Sequence, residues 1–151
     1  GDVITIAESE EYSYVEVVLA SGLNLILENS GSAKIERLVY DQDEQGKWQL
    51  QDALFNLQTG DIDATISALS FMGDSPMTVQ AGKIYVRPVR QGTDAYIERS
   101  VDDSLFIEIW GGEIEVQYCQ APDQCQDPVL VTDTQTVEVP DINQENINLL
   151  D

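Results

Sequence analysis

Hydrophobic and polar residues alternate with period two over most of the chain. Val15, Val17 and Leu19 fall on one side of an extended segment and Tyr14, Glu16 and Val18 on the other; after Ala20-Ser21-Gly22 the alternation resumes with Leu23, Leu25 and Leu27. Two alternating runs joined by a short Gly-containing break predict a β-hairpin. The pattern recurs at Ile84 and Val86, at Leu105, Ile107 and Ile109, at Ile114 and Val116, and at Val137 and Val139, with Glu108, Glu113, Glu115 and Glu138 in the opposite phase. Acidic residues alternating with β-branched ones mark sheets with one solvated face.

Breaks separate these runs at Asn29-Ser30-Gly31, Thr59-Gly60-Asp61, Gly73-Asp74-Ser75-Pro76, Ala81-Gly82-Lys83, Gln91-Gly92-Thr93 and Gly111-Gly112. A break about every ten residues is the cadence of an all-β sandwich, barrel or solenoid built from many short strands. Between Trp48 and Leu57 the leucines at 50, 54 and 57 fit a helix, and a strand fits as well. The units Thr59-Gly60-Asp61-Ile62, Ala81-Gly82-Lys83-Ile84-Tyr85-Val86 and Gly111-Gly112-Glu113-Ile114-Glu115-Val116 form a weak internal repeat suited to stacked β-turns, although their irregular spacing opposes a strict solenoid. The expected organisation is one β domain over 1–139 and a polar tail or linker over 140–151, with a short helical end at Ile147 to Leu150.

Charge narrows the class of partner. Seven basic residues against 28 acidic ones leave a formal charge of −21 on 151 residues. Such a chain repels nucleic-acid phosphates and anionic lipid. The plain reading of the charge is a heavily solvated surface; the functional one is a docking face for a cationic partner. With 42% apolar residues in short pieces the chain can fold around one core. No window approaches the roughly 18 apolar residues of a membrane helix, and Gly1 opens directly on a strand-like segment, so the sequence reads as a soluble piece with no membrane insertion.

Cys119 and Cys125, the two cysteines, flank the loop-forming run Gln120-Ala121-Pro122-Asp123-Gln124 and are expected to form a local disulfide. Zinc would need two further nitrogen or sulfur ligands, and the chain has no histidine and no third cysteine. A structural disulfide points to an oxidising compartment, which is the periplasm, cell surface or exterior. Closing so short a loop contributes ~2–3 kcal/mol.

The order of these units resembles the FecR domain. Gly1-Asp2-Val3-Ile4-Thr5 is similar to that family's opening "G-D-x-I-x-T", and the hairpin from Val15 to Leu27 to its "L-x-D-G-S-x-L-x-L". Leu57-Gln58-Thr59-Gly60-Asp61-Ile62 resembles the "L-x-x-G-x-I" step, and Met77-Thr78-Val79 the strand before the "R-G-T-x-F" signature. That signature stands here as Arg90-Gln91-Gly92-Thr93-Asp94-Ala95-Tyr96, with one residue inserted before Gly-Thr. Leu105 to Val116 and Thr134-Gln135-Thr136-Val137-Glu138-Val139 follow in the family's order, the last with Thr in place of Gly. The resemblance implies an all-β sandwich or solenoid-like fold outside the cytoplasm. It further implies a non-catalytic module that meets a protein partner in the cell envelope, since the best-known members relay an outer-membrane receptor's state to an inner-membrane regulator of a sigma factor.

Catalysis has little to work with. Without histidine or a thiol nucleophile, Ser-His and Cys-His chemistry is excluded, and carboxylate pairs among 28 acidic residues arise on any such surface by chance. Asp41, Asp43, Gly46 and Asp52 stand at spacings that calcium loops use, which makes Ca²⁺ the one candidate cofactor. Gln45 at the fifth place and Asp at the twelfth weaken that match, and the competing reading is a polar hairpin tip turning at Gln45-Gly46. The aromatics Trp48, Trp110, Tyr12, Tyr14, Tyr40, Tyr85, Tyr96 and Tyr118 are either core and cross-strand partners or a docking platform. Arg90, Gly92, Thr93 and Trp110 are the expected interaction residues, the first three by the resemblance and Trp110 by its place at a strand end before Gly111-Gly112. Two rival functions are a calcium-dependent carbohydrate-binding module and a structural subunit of a surface assembly.

Overall fold

The structure, a computed structural model, describes residues 2–7, 13–20, 22–71 and 74–151. Gly1, Tyr12, Ser21 and Gly73, singled out above, lie outside the described residues. The described chain is all-β: β1 (Val3–Ile6), β2 (Tyr14–Ala20), β3 (Leu23–Gln42), β4 (Trp48–Ala68), β5 (Met77–Ala81), β6 (Ile84–Pro88), β7 (Thr93–Arg99), β8 (Leu105–Gly111), β9 (Glu113–Ala121), β10 (Gln124–Cys125), β11 (Val129–Thr132), β12 (Thr136–Val139) and β13 (Asn148–Leu150).

Two long strands organise everything else. β3 and β4 pair antiparallel from Leu23↔Ala68 to Gln42↔Trp48. Their inner half, 23–30 against 61–68, sits in a leaf ordered β2-β3-β4-β7-β8-β12-β13. The following stretch belongs to a second leaf in which β1 pairs β3, β4 pairs β5, and β5, β6, β9 and β11 follow in turn. Leu25, Ile66, Ile97 and Ile107 from the first leaf and Phe55, Val79, Val86 and Val116 from the second share one buried core. The molecule is thus one sheet folded over on itself into a sandwich. Among the described strand pairs only β4–β5 is parallel, so the stacked coils of a solenoid do not form.

The fold line of this sheet explains two of the expected breaks. Asn29-Ser30-Gly31 and Thr59-Gly60-Asp61 do not reverse the chain; both strands run straight through, and Gly31 and Gly60 stand opposite each other. A Cβ on Gly31 would lie 2.2 Å from the Thr59 carbonyl oxygen, and one on Gly60 2.8 Å from Gly31 Cα. Only glycine permits the two backbones to approach this closely, with φ of 147° and 84°, and the sheet bends there.

Trp48–Leu57 is strand, not helix. Leu50, Ala53, Phe55 and Leu57 face the core, whereas Leu54 is buried from the opposite side. The register skip opposite Val39/Tyr40 bulges Gln51 and resets the alternation, so that Leu50 and Leu57, an odd number of residues apart, share the core face. At the other end the expected tail is tied down. Ile142 is buried in the core, its N–H donates to the Asp103 carbonyl, and its carbonyl accepts from the Lys83 N–H. Residues 148–150, expected as helix, instead pair with β12 through Thr136↔Leu150, where the open edge of the sheet offers backbone partners that a three-residue helix cannot supply.

Candidate functional site

The first leaf turns one face to the core and the other to solvent. On β7, Thr93, Ala95, Ile97 and Arg99 point inward, leaving Asp94, Tyr96 and Glu98 outside. On β8, Leu105, Ile107 and Ile109 point inward, leaving Phe106, Glu108 and Trp110 outside. Register then joins residues far apart in sequence: Glu28 on β3 is opposite Asp63 on β4, and Asp63 is opposite Glu98 on β7. At about 4.8 Å between strands, three carboxyl groups form a row about 10 Å long. Like charges placed directly across strands are destabilising.

Asp63 carries the consequence. Its side chain lies on the outer face yet only 7% of the residue is exposed. Asn29, held at φ 70°, donates its amide N–H to Asp63 Oδ2. Burial pushes the Asp63 carboxyl up to about 6; the Tyr96 hydroxyl, hydrogen-bonded to it, opposes the rise, and the charges of Glu98, Glu28 and Asp61 add to it. Burial, the same hydrogen bond and the charges of Asp63, Glu98 and Glu28 raise the Tyr96 phenol further above its ordinary value.

Next to this row two aromatic rings stack. The Tyr96 and Trp110 centroids are 5.6 Å apart with planes inclined by 14°. The β7–β8 register skips between Asp94 and Ala95, which leaves Trp110 in a bulge over β7. Trp110 remains 57% exposed.

The residues expected to form an interaction surface separate into two groups. Thr93 is fully buried and does structural work. Its hydroxyl donates to the Arg90 carbonyl and accepts from the Glu113 N–H at 3.2 Å, bridging the turn after β6 to the start of β9. Gly112 packs so tightly on it that an added Cβ would sit 2.2 Å from Thr93 Oγ1. Gly92, in the same turn, donates its N–H to the carbonyl of Ala68 at the end of β4. Arg90 is exposed and paired with Glu113 at 2.9 Å. Of the four, Trp110 is the one on the outer sheet face. Asp63, Glu28 and Glu98 were missed by sequence reasoning, and Tyr96 stood only as one of eight candidate aromatics; alternation shows that they face outward, and only register shows that they meet.

The calcium ligand set expected from Asp41, Asp43 and Asp52 is not assembled. Asp43 Oδ1 accepts the N–H groups of Gln45 and Lys47, each at 2.9 Å, closing the β3–β4 hairpin tip. Asp52 is opposite Val39, down the ribbon from that tip, and pairs with Arg37 at 2.6 Å; Asp41 is opposite Gln49. Among the described residues no three Asp, Glu or Cys side chains gather into a set that could hold a metal ion. Of the other exposed aromatics, Tyr14 is opposite Glu28 at the β2 end of the row, while Tyr40 and Trp48 line a groove of about 610 Å³ with Leu19, Leu23, Phe71 and Pro76 beside the β3–β4 ribbon.

Cys119 and Cys125 are disulfide-bonded, opposite each other in the β9–β10 hairpin. The bond fits a non-cytoplasmic environment. Among the described residues no helix is long and apolar enough to cross a membrane.

No family model matches the sequence, and no curated protein matches it. In structure the chain is similar to a putative anti-sigma factor from Parabacteroides distasonis ATCC 8503, seen in two crystal structures, each with a TM-score of 0.64 and 13% sequence identity. The likeness covers 98% of this chain and 58% of the Parabacteroides chain. At that identity the fold is what the two proteins share.

Proposed function

We propose that this chain is an extracytoplasmic, non-catalytic protein-interaction module of the FecR type, acting as a relay in the bacterial envelope. The observation that carries the reading is Trp110, held more than half exposed against Tyr96 on rigid strands, the kind of preorganised aromatic anchor that dominates protein interfaces. The colinear sequence motifs from Gly1 to about Val139 support the family. The fold shared with the Parabacteroides protein is compatible with a role in anti-sigma signalling. The disulfide supports the periplasm or cell surface as the place of action.

A pull-down from the source organism's envelope extract tests this, with the disulfide intact, in Ca²⁺ and in chelator, comparing the native chain with Trp110→Ala. A defined protein recovered by the native chain in both conditions and lost with Trp110→Ala is the expected result. Recovery of nothing, or of glycan only with Ca²⁺, refutes the interaction reading.

A further inference from the structure

The seven basic residues of the chain all lie among the described residues, and none is on the outer face of the first leaf. Lys34 pairs with Glu36, Arg37 with Asp52, Arg87 with Glu115 and Arg90 with Glu113, on the second leaf, the ribbon or the turn after β6. Lys47 is at the hairpin tip and Lys83 in the β5–β6 turn. Arg99 faces inward and is bound to Asp103 at 2.8 Å, with its side chain 8% exposed. The outer face meanwhile gathers Glu28, Asp63 and Glu98 in one row, with Glu108 and Glu138 on the strands beyond. The seven cations are therefore not spread evenly: five offset carboxylates away from this face, and none offsets the carboxylates on it.

A solvated surface needs no aromatic shelf, yet the stacked Tyr96 and Trp110 rings stand beside the row with Trp110 open to solvent. A guanidinium or ammonium group gains from both features, by resting on an indole face and by pairing with carboxylates close by. Arginine suits the combination best, because its planar group stacks on a ring while its N–H groups point sideways to carboxylates. The flat, strand-supported shape suits an extended segment, whose alternate side chains repeat at about 7 Å, against a row about 10 Å long.

We infer that the outer face of β3, β4, β7 and β8, centred on Trp110, Tyr96, Glu98 and Glu108, docks an extended arginine- or lysine-bearing segment of a partner protein. This rests on the interaction reading above and adds to it the surface and the partner's chemistry. The carboxylate row supplies attraction and orientation, and the aromatic pair supplies the anchor.

A titration tests the face without knowledge of the natural partner. The probe is a short acetylated and amidated peptide of alternating arginine and serine, with a glutamine–serine peptide as its neutral counterpart. Trp48→Phe leaves Trp110 as the sole tryptophan reporter. Work at about 0.15 M salt, where screening acts beyond about 8 Å, suppresses the general pull of the net charge. The arginine peptide is expected to change Trp110 fluorescence saturably and the neutral one not to. Glu98→Gln with Glu108→Gln, and separately Trp110→Ala followed by calorimetry, should each weaken binding roughly five- to tenfold. Asp123→Asn with Asp127→Asn, exposed in the loops on either side of β10, removes the same charge and should change it less than about twofold. Equal weakening by the two double variants, equal binding of both peptides, or no saturable binding overturns the inference. The two readings fail separately. A partner pulled down equally by the native chain and by Glu98→Gln with Glu108→Gln leaves the interaction reading standing and removes this face, while an empty pull-down beside face-specific peptide binding does the reverse.

Discussion

Replacing Asp63 by asparagine should stabilise the protein at neutral pH, and the gain should disappear in acid. An unfolded aspartate titrates near 3.8, and in the fold this carboxyl is pushed up to about 6 by burial and by Glu98, Glu28 and Asp61, against the pull of the Tyr96 hydroxyl. Between those two values the folded state binds more protons than the unfolded one, so stability falls as pH rises from about 4 to about 6. Above both, the full penalty of holding the charged form is present. About two units at 1.36 kcal/mol each set a ceiling of about 3 kcal/mol. Water above the row screens the neighbouring charges, so roughly 1–2 kcal/mol is expected in practice. The introduced amide would still accept from Asn29, and its own N–H groups would face the carboxylates of Glu28 and Glu98. Urea denaturation of both proteins from about pH 3.5 to about pH 8 measures the difference, and subtraction cancels the self-repulsion of the remaining charge. The variant should be more stable by about 1–2 kcal/mol at pH 7, raising Tm by about 3–6 °C, with the gap closing near pH 4. A variant no more stable at pH 7, or a gap independent of pH, would refute the account of the carboxylate row.

Three further outcomes check the fold and the reassigned residues. Gly60→Ala should cost about 3 kcal/mol or more, because its Cβ would meet Gly31 Cα and the Ser30 carbonyl at 2.8 Å; Gly46→Ala, with nothing within 4 Å, should cost about 1 kcal/mol by its positive φ alone. Denaturant midpoints compare them. Thr93→Val should cost about 1–3 kcal/mol by breaking the hydroxyl bridge between Arg90 and Glu113, while Thr93→Ser keeps the bridge and loses about 1 kcal/mol for the missing methyl. Asp43→Ala should lower stability by about 1 kcal/mol through loss of the turn hydrogen bonds, equally in Ca²⁺ and in chelator by thermal melting. A Ca²⁺-dependent rise in Tm that the variant abolishes would restore the calcium reading.

Much of the architecture was legible in the sequence because it is local. Alternation with period two assigns residues to faces one strand at a time, which is why Val15, Val17 and Leu19 pack inward while Tyr14 and Val18 remain exposed. The local disulfide and the hairpin tip at Gly46 also needed only near neighbours. Where the pattern misled, bulges had reset it, as between Leu50 and Leu57. A positive-φ glycine serves a turn or a bend equally well, so 29–31 and 59–61 could not be recognised as the fold line.

The sequence by itself determined that this chain makes a sheet with an acidic solvated face, carries one local disulfide and lacks the side chains for histidine or thiol catalysis. Tertiary structure alone decided which faces became a site. Glu28, Asp63 and Glu98 are separated by more than thirty residues at each step, and Tyr96 and Trp110 belong to different strands. Their meeting depends on the register of β3, β4, β7 and β8, and a slip of one residue would send every one of them into the core. The same pairing took Thr93 out of solvent, drew Ile142 into the core and kept Asp41, Asp43 and Asp52 apart.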